Sequence, residues 1–149
     1  MNASGLSRSE FVEFVRAARL GVVATASASG MPEAALVDIA ISDSAELIFN
    51  TPVAARKLTN IERNDRVAVV VGWNERISIQ AEGRARIVTN DERLDYERVY
   101  GAQLPGSRVS SPSFEVVVVT LEWVRRYDAT TDPAQCDHAD WLPGAMTSR

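Results

Sequence analysis

The sequence predicts a mainly β fold, an antiparallel barrel of about six strands with short peripheral helices, made by one domain over residues 1–149. The clearest sign is residues 77–87, where Ile77, Ile79, Ala81, Gly83, Ala85 and Ile87 alternate with polar residues, as a strand with one dry and one wet face requires. A second is the long, strongly β-branched run from Phe114 to Tyr127. The third is order: strand-like runs follow one another across short turns, as hairpins do.

Taken from the N-terminus, Ser7 and Glu10 have the spacing of a capping box, and Phe11, Phe14, Val15 and Ala18 give the apolar stripe of a helix that ends by about residue 18. Leu20 to Ala26 and Pro32 to Ile41 are read as a hairpin around Ser27-Ala28-Ser29-Gly30, whose glycine tolerates positive φ. Ser42-Asp43-Ser44 turns the chain into a strand that ends at Asn50. Thr51 is read as an N-cap with Pro52 at the first helical position, and Ala54, Leu58 and Ile61 as the buried stripe of a helix ending near Asn64. Arg66 to Trp73 is a buried strand. Gly83 predicts a bulge or sharp bend in the strand that follows, of the kind a closing sheet needs. Thr89 and Glu92 are spaced as another capping box, for a helix to about Tyr100 that gives way to a polar loop from Gly101 to Pro112. Residues 128–149, with Pro133, Pro143 and Gly144 and no sustained period, are expected to be an irregular tail.

Arg56 and Lys57 are the residues that bulk structure does not explain. Two adjacent cations early in a helix oppose the positive end of its dipole. Their side chains lean back toward Thr51 and the free N–H groups of the first turn, which together would cradle a phosphate. The competing reading is a solvated pair on an exposed face.

Composition narrows the function. A net charge of −4 opposes nucleic-acid binding, which depends on clustered cations. One cysteine, Cys136, and one histidine, His138, exclude a disulfide framework and a Cys- or His-based metal site, and Cys136 is expected to be an exposed thiol. No segment reaches the roughly 18 apolar residues of a membrane span or has the form of a signal peptide, so the expectation is a cytoplasmic protein without a membrane partner.

The segments Phe49-Asn50-Thr51, Ala55-Arg56-Lys57, Asn64-Asp65-Arg66-Val67, Gly72-Trp73 and Glu82-Gly83-Arg84-Ala85, spread over Leu20 to about Val88, resemble the pyridoxamine 5'-phosphate oxidase-like split-barrel flavoproteins. The resemblance implies a split barrel, an FMN cofactor whose phosphate is held by the hydroxyl, Arg and Lys matching Thr51, Arg56 and Lys57, and a homodimer with flavin sites in the subunit groove. It extends the cofactor site to Val37, Asp38, Asn50, Ser78 and Tyr127, and implies an FMN-dependent oxidoreductase acting on an unidentified small molecule. A non-catalytic FMN-binding or stress protein, or a deazaflavin- or haem-binding relative, are the alternatives the same fold leaves open. Trp73, Trp123 and Tyr127 near strand ends suit either a core or a subunit interface. Asp38, inside an apolar strand, must reach water or pair with Arg84 or Arg86.

Two departures bear on substrate. Relatives that oxidise pyridoxamine phosphate carry an Arg and a Lys at the positions matching Ala35 and Ala40, and an Arg-x-His element where this chain reads Asp128-Ala129-Thr130-Thr131-Asp132. The resemblance gives the first of these cations to the flavin phosphate and the second to the substrate phosphate, and therefore predicts that the vitamin phosphate has little to bind here.

Overall fold

The computed structural model describes residues 5–141. Three helices, α1 (Arg8–Ala18), α2 (Arg56–Arg63) and α3 (Asn90–Gln103), accompany eight strands: β1 (Leu20–Ala26), β2 (Pro32–Asp38), β3 (Ala40–Ile41), β4 (Leu47–Pro52), β5 (Arg66–Val71), β6 (Ile77–Val88), β7 (Phe114–Asp128) and β8 (Gln135–Asp140). All pair antiparallel in one curled sheet of order β2-β1-β5-β6-β7-β4-β3, with β8 also on β7. This is a mainly β split barrel with peripheral helices, the predicted fold class. Its strand count is higher because Pro32 to Ile41 breaks at Ile39 and because the tail contributes a strand.

β7 is the spine. Its first part pairs with β4 and its last with β8, while β6 runs along its other edge from Val116 to Asp128. Val116, Val117, Val118 and Val119 are all fully buried because the sheet is covered on both faces here. Val117 and Val119 point into the main core with Phe11, Phe49 and Leu58, whereas Val116 and Val118 meet Tyr100 of α3 in a second cluster. The Ser7–Glu10 capping box forms as predicted, and Phe11 and Val15 of α1 are fully buried.

Four local expectations are corrected. The helix does not start at Thr51: the β4–β7 ladder continues through Thr51↔Glu115 and Pro52↔Phe114, so α2 begins at Arg56 with Ala55 as its cap and no side-chain capping bond, and Ala54 is exposed outside it. Thr89 stands at the N-cap of α3, but its side chain does not cap the helix, and the Glu92 carboxylate that would complete the box is bonded to Arg86 at 2.7 Å. The helix then continues through Gly101 to Gln103, whose amide accepts from the Ile41 N–H at 3.0 Å and donates to the Ile41 carbonyl at 2.7 Å, satisfying the edge of β3. The tail is not irregular over Gln135–Asp140. There it forms β8 on the free edge of β7, and Trp141 packs edge-on against Phe11 with ring centroids 5.3 Å apart. Pro143 and Gly144 lie outside the described residues.

Gly83 behaves as predicted. The β6–β7 register shifts between Glu82 and Gly83, and a Cβ at Gly83 would stand 2.2 Å from the Thr120 carbonyl oxygen, a backbone atom that cannot yield without moving β7. Gly83→Ala is expected to cost about 2–3 kcal/mol of stability, measurable as a lowered urea midpoint at unchanged slope. A midpoint equal to the parent's would show that the bend tolerates a side chain.

Candidate functional site

Where α2 crosses β1 and β2, a recess of about 170 Å³ opens. β1 supplies Val23 and Thr25, β2 supplies Glu33, Ala34 and Ala35, and α2 supplies Arg56 and Lys57. Leu58 and Ile61 bury the opposite face of α2 and fix its first turn over the opening. No acidic residue lies in that turn and no side chain caps it, so the only charges the turn itself carries are the two cations.

Lys57 is partly buried and donates to the Thr51 hydroxyl at 3.0 Å; Thr51 is itself 1% exposed. Among the described residues Lys57 has no carboxylate partner, and burial holds its ammonium below its ordinary pKa. Arg56 differs. Its guanidinium reaches outward, 80% exposed in the side chain, and pairs with the more enclosed carboxylate of Glu33. Glu33 also accepts from the Asn60 amide at 2.7 Å, and the same amide nitrogen donates to the Thr25 hydroxyl at 2.9 Å. The bonds from Asn60 and Arg56 hold the Glu33 carboxyl below its usual pKa. Two cations and one carboxylate leave the recess positive by about one charge, a setting for an anion.

The remaining predicted residues divide into two places. Asn50 lies beside Thr51 on β4, and its side-chain oxygen accepts from the Tyr100 hydroxyl at 3.0 Å. That hydroxyl is 3.5 Å from the Asp38 carbonyl oxygen, so the end of β2, with Val37 partly buried and Asp38 exposed, meets Asn50 across Tyr100. Burial, and then the Asp38 charge, push the Tyr100 phenol up to about 12, so it is a donor at neutral pH. Asp38 reaches water rather than a cation: Arg84 binds Asp65 and Glu122, and Arg86 binds Glu46 and Glu92.

Ser78 and Tyr127 face each other across β6 and β7 beside a second recess of about 350 Å³ that also takes in Trp73. Both aromatics are exposed, Trp73 by 48% and Tyr127 by 42%, while Trp123 is partly buried. On β7, Tyr127 is separated from Val116, the partner of Asn50, by on the order of 35 Å of strand contour. Cys136 is exposed on β8, as expected.

Reasoning from sequence missed Glu33, Asn60, Thr25 and Tyr100. Strand alternation offers a signal for Glu33, which shares the face of Ala35 and Val37, and the helical repeat offers one for Asn60, four residues after Arg56. Nothing local marks Tyr100, which reaches Asn50 from another element.

The chain matches the profile of the pyridoxamine 5'-phosphate oxidase family over residues 7–128. Solved structures share its fold. The heme binding protein from Mycobacterium smegmatis superposes with a TM-score of 0.74 at 17% identity, covering 91% of this chain but 58% of that one, so this chain spans little more than half that protein's length. General stress protein 26 from Bacillus anthracis gives 0.66 at 20% identity over 80% of this chain and 92% of that one. A pyridoxamine 5'-phosphate oxidase-related, FMN binding protein from Nostoc punctiforme gives 0.64 at 14% identity over 95% and 100%. At such identities these likenesses show the fold alone. No helix among the described residues is long and apolar enough to cross a membrane. With the profile running from α1 through the whole of β7, the chain belongs to the pyridoxamine 5'-phosphate oxidase family.

Proposed function

We propose that this protein is an FMN-binding flavoprotein, an FMN-dependent oxidoreductase that acts on a small molecule as a homodimer. The observation that carries this reading is Lys57, partly buried, bonded to the Thr51 hydroxyl and without a carboxylate partner among the described residues, in the uncapped first turn of α2. Such a group binds a phosphate monoester well, since the ester offers the ammonium anionic oxygens where Thr51 offers only a neutral hydroxyl.

Bound FMN supplies the hydride chemistry through its ring system. The chain's own residues bind and orient it. Thr51, Lys57 and Arg56 hold the phosphate. Asn50, fixed by Tyr100, presents its amide N–H groups, and the Val37–Asp38 end of β2 lines the same groove. Haem is the weaker fit, because the recess contains no His, Cys or Met to ligate iron, and His138 stands exposed on β8 opposite Arg125.

Two features support the dimer. Ser78 and Tyr127 lie far along β7 from the Thr51 end, so a site using both groups is more simply completed by a second copy. In addition, β2 pairs only with β1, has no fully buried residue, and exposes Leu36 by 59% with Met31 just before it exposed by 61%, an edge that a partner would cover.

Purified protein is expected to take up FMN at one per chain, released on denaturation and identified by chromatography, and to scatter light as about twice the 16.3 kDa chain. Protein that takes up no FMN on titration removes the flavin reading. A monomer with full FMN affinity removes the shared site. Turnover with a reduced nicotinamide donor separates an enzyme from a carrier.

A further inference from the structure

Arg56 and Lys57 are neighbours in sequence but not equivalents in the fold, and Glu33 makes the difference. The Glu33 side chain is 19% exposed whereas that of Arg56 is 80% exposed, so the carboxylate is the fixed inner member of the pair and the guanidinium the movable outer one. What fixes Glu33 is Asn60, itself 5% exposed, whose amide nitrogen spans the Glu33 carboxylate at 2.7 Å and the Thr25 hydroxyl at 2.9 Å. Moving Glu33 away would leave that buried amide short of a partner, which is costly. Among the described residues the one side-chain hydrogen bond of Arg56 is to Glu33, and neither Ala34 nor Ala35 alongside adds a charge to the recess.

An anion entering the recess therefore meets a negative charge that cannot readily leave, already bonded to one of the two cations. Building on the FMN reading, we propose that Glu33 is a resident competitor for Arg56, which weakens the grip on a phosphate ester and so sets how strongly the site prefers phosphorylated over unphosphorylated flavin. Lys57 carries the phosphate, and Arg56 contributes only what Glu33 leaves. The effect is confined to the phosphate end, because the Glu33 carboxylate is engaged by groups of α2 and has no bond to Asn50 or Tyr100.

The test uses the full chain, stripped of any flavin and titrated with FMN and separately with riboflavin, which lacks the phosphate. Glu33→Gln keeps the shape and an oxygen for Asn60 while removing the charge. FMN affinity is expected to rise about tenfold, with riboflavin affinity unchanged. In an Arg56→Ala background the same substitution should raise FMN affinity by no more than about threefold, since the contested group is gone. Glu33→Ala, which also deletes the charge, provides the same readout should the glutamine variant fold poorly. Unchanged or weaker FMN binding in folded Glu33→Gln and Glu33→Ala overturns the role of Glu33 while the flavin site stands. An equal gain in the Arg56→Ala background overturns competition for Arg56. Parent protein that binds neither FMN nor riboflavin overturns the flavin reading itself, and this inference with it.

Discussion

Replacing Arg56 and Lys57 together with alanine is expected to lower FMN affinity by about two to three orders of magnitude while the protein stays folded. Charge-assisted hydrogen bonds contribute roughly 1.5–3 kcal/mol each, and every 1.4 kcal/mol is about tenfold in affinity. The two residues should not contribute equally. Lys57 is partly shielded from water and has no carboxylate partner among the described residues, whereas Arg56 is largely exposed and shared with Glu33, so its interaction is screened and already engaged. Lys57→Ala alone should accordingly account for most of the loss. Stability should fall modestly, because Leu58 and Ile61 carry the core face of α2 and the losses are a Thr51 hydroxyl left without its donor, worth about 1 kcal/mol, and the ion pair of a largely exposed Arg56 with Glu33. Riboflavin is the control, as its affinity should be the same in parent and double variant. FMN binding within about threefold of the parent in a folded double variant would show that the phosphate lies elsewhere.

Much of this site was legible in the sequence, though partly through incorrect local geometry. Thr51 was expected to act as a helix cap and instead ends a strand, because pairing with β7 outweighs a local capping preference and holds the chain extended through Pro52. The hydroxyl still meets Lys57, since the short connection after Pro52 returns the first turn of α2 to within reach of it. Period was a reliable guide where one face is dry, as in β6, with burial alternating around its bend. It was no guide to β8, where five of the six residues are exposed and the strand is held by backbone bonds to β7, so there is no apolar repeat to read. The Thr89–Glu92 signature failed for a third reason: Arg86, near the end of the preceding strand, holds the acid that would complete the box, and the Thr89 hydroxyl makes no capping bond either. The partners of the site residues follow the same rule. Glu33 and Asn60 lie on predictable faces, but that they bond each other is a property of how α2 is laid on β1 and β2.

Pyridoxamine 5'-phosphate is expected to be a very poor substrate of the FMN-loaded protein, despite the family to which the chain belongs. A doubly charged phosphate ester needs cationic partners, and the positions that resemblance would assign to them are closed here in different ways. Ala35 lines the recess as a small neutral wall. Ala40 is fully buried in the cluster with Ile48 and Tyr100, where a long cation would have to displace packed core. At the end of β7, Asp128 accepts from the backbone and hydroxyl of Thr130 and pairs with Arg126 at 3.7 Å, so the segment that would carry an Arg-x-His element presents an acid. The nearby arginines are engaged as well, Arg126 with Asp128 and Arg125 with the Cys136 sulfur at 3.3 Å. Loss of two charge-assisted contacts, at roughly 1.5–3 kcal/mol each, amounts to two to four orders of magnitude in affinity. Steady-state formation of pyridoxal phosphate measures the outcome directly. A kcat/KM of about 10⁴ M⁻¹s⁻¹ or more would show that cations from another direction, the second subunit included, replace the missing ones. A value far below that, in protein that binds FMN and accepts electrons from a reduced donor, would mean that the cofactor cradle has been kept while the pocket beside it serves a substrate without that phosphate.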